Sequence, residues 1–257
     1  MSPFLNWEQL TLFCYITLRM SGFVMFSPIF GRPGIPGIFK AGFVLMLSLC
    51  VAAASPQGVP VPGTLVEFVF RLLMELFLGF TLSFIMNLFF YIPQLAGEVI
   101  DTQMGFTMGK TYDAGLQTSL SVTSQMINVM MFLIFFAANG HHTLLRILVT
   151  SGDVVTYGAV SIGPNIANAM LTIFLACTLL AVKLALPILA AELLGQVGMG
   201  LLMKTIPQIN VFAINIELKV IIGLVMVMLM ISPFSEFLLV AENQMLGNMQ
   251  TVLKLAS

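Results

Sequence analysis

The stretch Ala167–Met203, ANAMLTIFLACTLLAVKLALPILAAELLGQVGMGLLM, holds 37 residues with only two charged side chains, Lys183 and Glu192. About 20 apolar residues suffice for a helix to cross the hydrocarbon core of a bilayer. At 1.5 Å per residue this stretch would make a helix of about 55 Å. It therefore predicts either a helix kinked at Pro187, where the ring removes a backbone donor, or one that runs well past a bilayer's thickness. Lys183 and Glu192 lie nine residues apart, which sets them on opposite faces of a straight helix.

Comparable apolar runs lie on either side, at Gln9–Phe30, Ile38–Ala54, Leu65–Ile92, Ser119–Ala138 and Val211–Ile231. The predicted fold is all-α: a polytopic, membrane-protein-like chain of about six long, partly broken apolar helices arranged as helical hairpins. Composition agrees. The 257 residues are 59% hydrophobic and 8% charged, with mean hydropathy +1.03, whereas soluble domains carry about 25% charged residues. Ten basic residues scattered along the chain, at a net charge of −1, make no phosphate-binding stripe, so no nucleic-acid partner is expected. Cys14, Cys50 and Cys177 stand alone in apolar runs without metal-ligand spacing. No basic n-region opens the chain and Arg19 interrupts the first run, so no cleavable signal peptide is expected.

The helices are separated by clear breaks. Gly31–Gly37 and Ser55–Gly63 are too rich in proline and glycine to continue a helix, and Asn139-Gly140 and Gly163-Pro164 bound a shorter segment. The most informative break is Gln103-Met104-Gly105-Phe106-Thr107-Met108-Gly109-Lys110-Thr111-Tyr112-Asp113. Non-helical backbone at membrane depth survives only where protein covers it or where it lines a water-filled cavity. Two glycines, two methionines and two aromatics would make it a deformable, water-excluding plug. An ordinary connecting loop is the competing reading.

Charges inside apolar runs are expensive and need partners. Arg19 lies in mid-segment. Glu67, Arg71 and Glu75 follow at i, i+4 and i+8, which stacks alternating signs along one helix face; they read as structural ion pairs, including pairs to neighbouring helices, or as charges sheathed by protein. A proton relay is the functional alternative, but Glu67 begins its helix and breaks nothing. Glu217 and Lys219, two apart, do not face each other. His141 and His142 are the only histidines; adjacent side chains on a helix diverge by about 100°, so no metal site is expected. No Ser/His/Asp grouping, phosphate loop or metalloprotease motif is present, and no catalytic residue or cofactor is assigned.

Arg19-x-x-Gly22, then Ser27-Pro28-Ile29-Phe30-Gly31 and Ile35-Pro36, resemble the opening of the FliR family of the type III secretion export gate. Glu75-x-x-x-Gly79-Phe80 and Ala96-Gly97-Glu98-x-Ile100-Asp101-x-Gln103-Met104-Gly105 are similar to its central signature. Asn139-Gly140-His141-His142 and Ile206-Pro207-Gln208-Ile209-Asn210-Val211-Phe212 are similar to two later ones. One departure is Ala114, where the family commonly has proline after the residue equivalent to Asp113.

The resemblance implies a pore subunit, not an enzyme. It implies FliP-like and FliQ-like subunits and further export-apparatus membrane proteins as partners, and unfolded flagellar proteins as cargo. The location it implies is the bacterial inner membrane at the flagellar basal body, with helices largely above the membrane plane once assembled. It also implies a FliP-like part at 1–165, with a pore-gating loop at about 98–115, and a FliQ-like hairpin at 166–257 with an amphipathic C-terminal tail. A homologous virulence-secretion subunit and a small-solute transporter are the alternatives, the latter calling for two matched broken helices where the chain offers one.

Overall fold

A computed structural model describes residues 7–54, 62–106, 121–161, 163–205 and 211–256, the last of these from 214 onward for side chains. The described residues form helices α1 (Trp7–Phe26), α2 (Gly37–Ala54), α3 (Leu65–Gln103), α4 (Val122–Ala137), α5 (Gly140–Val149), α6 (Ser151–Val154), α7 (Pro164–Thr205) and α8 (Val211–Leu255). Among them, α1, α2, α3, α7 and α8 are long and apolar enough to cross a membrane, and α4 with α5 makes a sixth if counted as one span.

Local chemistry sets the helix starts. Thr64 accepts the Glu67 N–H at 3.3 Å, and the Glu67 carboxylate accepts the Gly63 N–H at 3.1 Å, a reciprocal arrangement close to a capping box. The Ser121 hydroxyl accepts the Ser124 N–H at 3.3 Å to open α4. Pro164 occupies the first position of α7, where a missing N–H costs nothing.

The interior prolines do not end their helices. Pro93, Pro187 and Pro233 all lie inside continuous helices. Apolar patterning ends the third span at Ile92 and the last at Ile231; instead α3 continues to Gln103 and α8 to Leu255. At Pro187 the helix is not interrupted: α7 runs for 42 residues, about 63 Å of helix if straight. The final residues of α8 are amphipathic: Met245, Met249 and Val252 are buried at helical spacing, and Gln244 and Gln250 are exposed.

The chain divides into two compact units. The first comprises Met1–Phe89, Asn139–Phe174 and Asn243–Ser257. Its core includes the α1 stripe Leu12, Tyr15, Ile16, Met20 and Phe23, with Leu78, Leu82 and Ile85 of α3. The α1–α3 crossing is closed by two glycines. A Cβ on Gly22 would strike the backbone of Leu76 and Phe80, and one on Gly79 would strike that of Arg19 and Phe23. Small residues of this kind let apolar helices pack backbone to backbone.

The second unit comprises Phe90–Ala138 and Leu175–Glu242. In it Phe90 packs on Phe132 and Phe135, at ring separations of 4.8 and 5.9 Å, beside buried Ile127 and Met131.

Candidate functional site

The break after α3 starts from a firm root in the second unit. Met104 is completely buried and its N–H bonds the Ile100 carbonyl at 3.0 Å, extending the helix by one residue. Gly105 then takes a φ of +80°, the left-handed conformation that ends helices and that glycine adopts without steric cost. Phe106 is half-buried, as is Gln103. Thr107, Met108, Gly109, Lys110, Tyr112 and Asp113 lie outside the described residues.

The two ends of this break are tied together. The buried Asp101 accepts the Ser121 hydroxyl at 2.6 Å and the Thr123 N–H at 3.3 Å. Asp101 thereby holds the start of α4 against the end of α3, next to the positive end of the α4 helix dipole. Gly97, one turn earlier, is the point of closest approach, because a Cβ there would strike the Ser124 backbone. The Ser124 hydroxyl donates to the Gln94 carbonyl at 2.7 Å. The end of α3 and the start of α4 thus meet at one anchored point. Glu98, in the same turn, is half-buried and its carbonyl accepts the Thr102 hydroxyl at 2.7 Å.

Asp101→Ala removes the acceptor for Ser121 and leaves a buried hydroxyl and an N–H unpaired, at about 1–3 kcal/mol each. The expected result is an assembled complex with a loosened loop, detected as accelerated proteolysis within 104–120 relative to the unaltered protein. Unchanged cleavage would show that the tie is dispensable.

The charged residues form two separate pairs. Arg71 bonds Glu67 at 2.5 Å, a partly exposed i, i+4 pair worth about 0.3–0.5 kcal/mol. Glu75 does not continue that ladder. Its carboxylate turns to α1, accepting Arg19 Nε at 2.6 Å and Nη2 at 3.1 Å, both side chains fully buried. Glu75 also accepts the Gly158 N–H at 2.7 Å. Arg19 also donates to Ser151 Oγ and the Val155 carbonyl, each at 3.1 Å, and stacks 4.3 Å over the Tyr157 ring. The physical reason is satisfaction: mid-helix Arg19 needs an anion at its own depth, and Glu75 reaches it in bidentate geometry. On α7, Lys183 is exposed and Glu192 buried, in keeping with opposite faces.

Sequence reasoning marked Arg19 as anomalous but did not pair it. Its depth in an apolar run and its place in the Arg19-x-x-Gly22 motif single it out; Ser151, Tyr157 and Gly158 lie 132 to 139 positions away with no local signal. Ser121 and Thr123 were likewise invisible as partners of Asp101.

The remaining motif residues are structural where described. Pro28 sits in the turn after α1, its carbonyl accepting Arg32 Nε at 3.2 Å. Asn139 adopts the left-handed conformation (φ 59°) at the α4–α5 junction, which asparagine tolerates better than most residues, and Gly140 is buried behind it. The His141 and His142 rings lie 4.1 Å apart. Among the described residues no group of three His, Cys, Asp or Glu could hold a metal. Pro207, Gln208 and Asn210 lie outside the described residues.

Several known proteins are similar to this chain along most of their length. The chain is 26% identical over 262 residues to the flagellar biosynthetic protein FliR of Pectobacterium carotovorum subsp. carotovorum, covering 98% of this chain and 99% of that one. It is 27% identical to FliR of Escherichia coli (strain K12), covering 91% and 90%. To FliR of Bacillus subtilis (strain 168) it is 25% identical, covering 86% of each. Residues 10–245 match the model of one family along nearly their whole length, and the chain belongs to that family, the bacterial export proteins, family 1.

Proposed function

We propose that this chain is a pore subunit of the export gate of the flagellar type III secretion apparatus in the bacterial inner membrane, with the segment 103–113 plugging the resting pore. A place in the flagellar export apparatus accords with the family and with relatives that carry the name flagellar biosynthetic protein FliR across their length. The finer reading, of a gate and a plug, rests on one observation above all. The break between α3 and α4 is rooted at both ends on the buried Asp101–Ser121 tie, as a segment that must move without unravelling its supports would be.

The partners are FliP-like and FliQ-like subunits, joined by this chain's own FliP-like part (1–165) and FliQ-like hairpin (166–257), and unfolded flagellar proteins are the cargo. Large apolar side chains remain exposed along the long helices, including Leu194 at 73%, Met228 at 70% and Leu229 at 64%. Lipid or neighbouring helices must cover such surfaces. Met104, buried within its own unit, acts as the anchor of the plug, and the seal falls to Phe106 and the residues after it, with Lys110 as an anchor to a partner carboxylate. No step calls for a catalytic residue: the gate passes a polypeptide and forms no covalent bond.

The chain expressed alone should aggregate in detergent, while co-expression with FliP-like and FliQ-like proteins should yield a stable co-purifying complex. A monodisperse single chain that gained nothing from those partners would remove the obligate-assembly reading.

A further inference from the structure

Lys183 sits in the middle of α7, 19 residues after Pro164 and 22 before Thr205, about 29 and 33 Å of helix from the two ends. No other charged residue occurs between Asp153 and Glu192. Glu192 is fully buried, on the side of the helix away from the exposed Lys183. Among the described residues Lys183 makes no hydrogen bond and no ion pair.

The face beside it is apolar and regular. Leu175, Leu179, Val182, Leu186 and Leu193 are exposed by 45 to 66%. They follow one another at steps of 4, 3, 4 and 7 residues, with Leu189 half-buried between the last two. That is a single heptad register, with these residues at its a and d positions, the seam along which one helix packs against another. Lys183, next to Val182, falls at an e position. Charges at e positions pair across such seams and set partner and orientation.

We propose that this face of α7 docks an apolar helix of a neighbouring, different subunit, and that one aspartate or glutamate on that helix pairs with Lys183. Lipid tails cover leucines equally well but bring no counter-charge, and an ammonium without one is expensive among apolar groups. The pairing rests on the assembled-complex reading above, not on the plug. It adds to that reading the face that meets a neighbour and the charge that neighbour carries.

The test uses the full chain purified in complex with FliP-like and FliQ-like proteins and treated with a lipid-soluble carbodiimide. The reagent activates a carboxylate, the Lys183 amine attacks it, and an amide forms while the carbodiimide leaves as its urea. No spacer is introduced, so only groups in contact are joined. Mass spectrometry should find Lys183 joined to an Asp or Glu of another subunit, and Lys183→Met should abolish that cross-link. Lys183→Glu should lower the recovered complex by about tenfold or more, because an attractive pair becomes a like-charge contact. Changing the identified acid to lysine in the same complex should restore it.

Unchanged recovery of Lys183→Glu overturns the pairing. So does the absence of any cross-link to Lys183, or a cross-link to a carboxylate of this chain or of a second copy of it. Should Lys183→Glu fail to accumulate at all, the cross-link in the unaltered complex decides alone. If the unaltered chain does not co-purify with those partners, the assembly reading fails and the pairing with it. A normal complex without the cross-link removes the pairing and leaves the assembly reading standing.

Discussion

Replacing Arg19 with alanine is expected to eliminate assembled protein. The substitution leaves the Glu75 carboxylate charged, fully buried and deprived of both its guanidinium bonds, and takes the Arg19 donor from the Val155 carbonyl beside it. Breaking a buried pair from one side costs about 3–5 kcal/mol, a large share of the roughly 5–15 kcal/mol that holds a typical domain together. Glu75→Gln should be nearly as damaging, because an amide cannot accept two guanidinium bonds and the Gly158 N–H while neutralising Arg19. Arg19→Lys should rescue only in part, lacking the planar fork. By contrast, Glu67→Gln should assemble normally, since its pair with Arg71 is partly exposed and weak. The readout is the amount of chain recovered in the co-purified complex. Normal recovery of Arg19→Ala would show that the α1–α3 seam is not held by this pair.

Helical class and membrane character are legible in composition and in apolar runs such as Ala167–Met203, because burial in lipid demands both. Helix ends are harder to read. Proline is a breaker in water, and patterning therefore stops α3 before Pro93 and α8 before Pro233. Both helices continue through the ring, as helices in an apolar setting can where other groups satisfy the freed backbone.

The i, i+4 rule finds Glu67–Arg71, a local pair, and misassigns Glu75, whose partner lies 56 residues away on another helix. Motif spacing identifies Arg19, Gly22, Glu75 and Gly79 without saying why they belong together. In the fold they form one seam, the ion pair lying alongside the crossing point of two glycines. At the loop, residue type alone places Met104 among the plug side chains. Its burial against Gly223 depends on a contact 119 positions away, which no local pattern encodes.

Deleting Gly105–Lys110 is expected to convert the assembled complex into an open channel. A passage wide enough for an unfolded polypeptide conducts ions freely unless something closes it, and apolar constrictions close by dewetting, without a tight steric lock. The deletion removes Phe106 and Met108 with the flanking Gly105 and Gly109, and leaves Asp101, Ser121 and Met104 to hold the ends together. Assembly should therefore survive while the seal is lost. The decisive measurement is single-channel conductance of the purified complex in a planar bilayer, with the intact chain and the deletion compared at the same voltage. The account predicts a closed complex for the intact chain and a persistent ion-conducting state for the deletion. An assembled deletion complex as tight as the parent would contradict it and place the seal in the partner subunits.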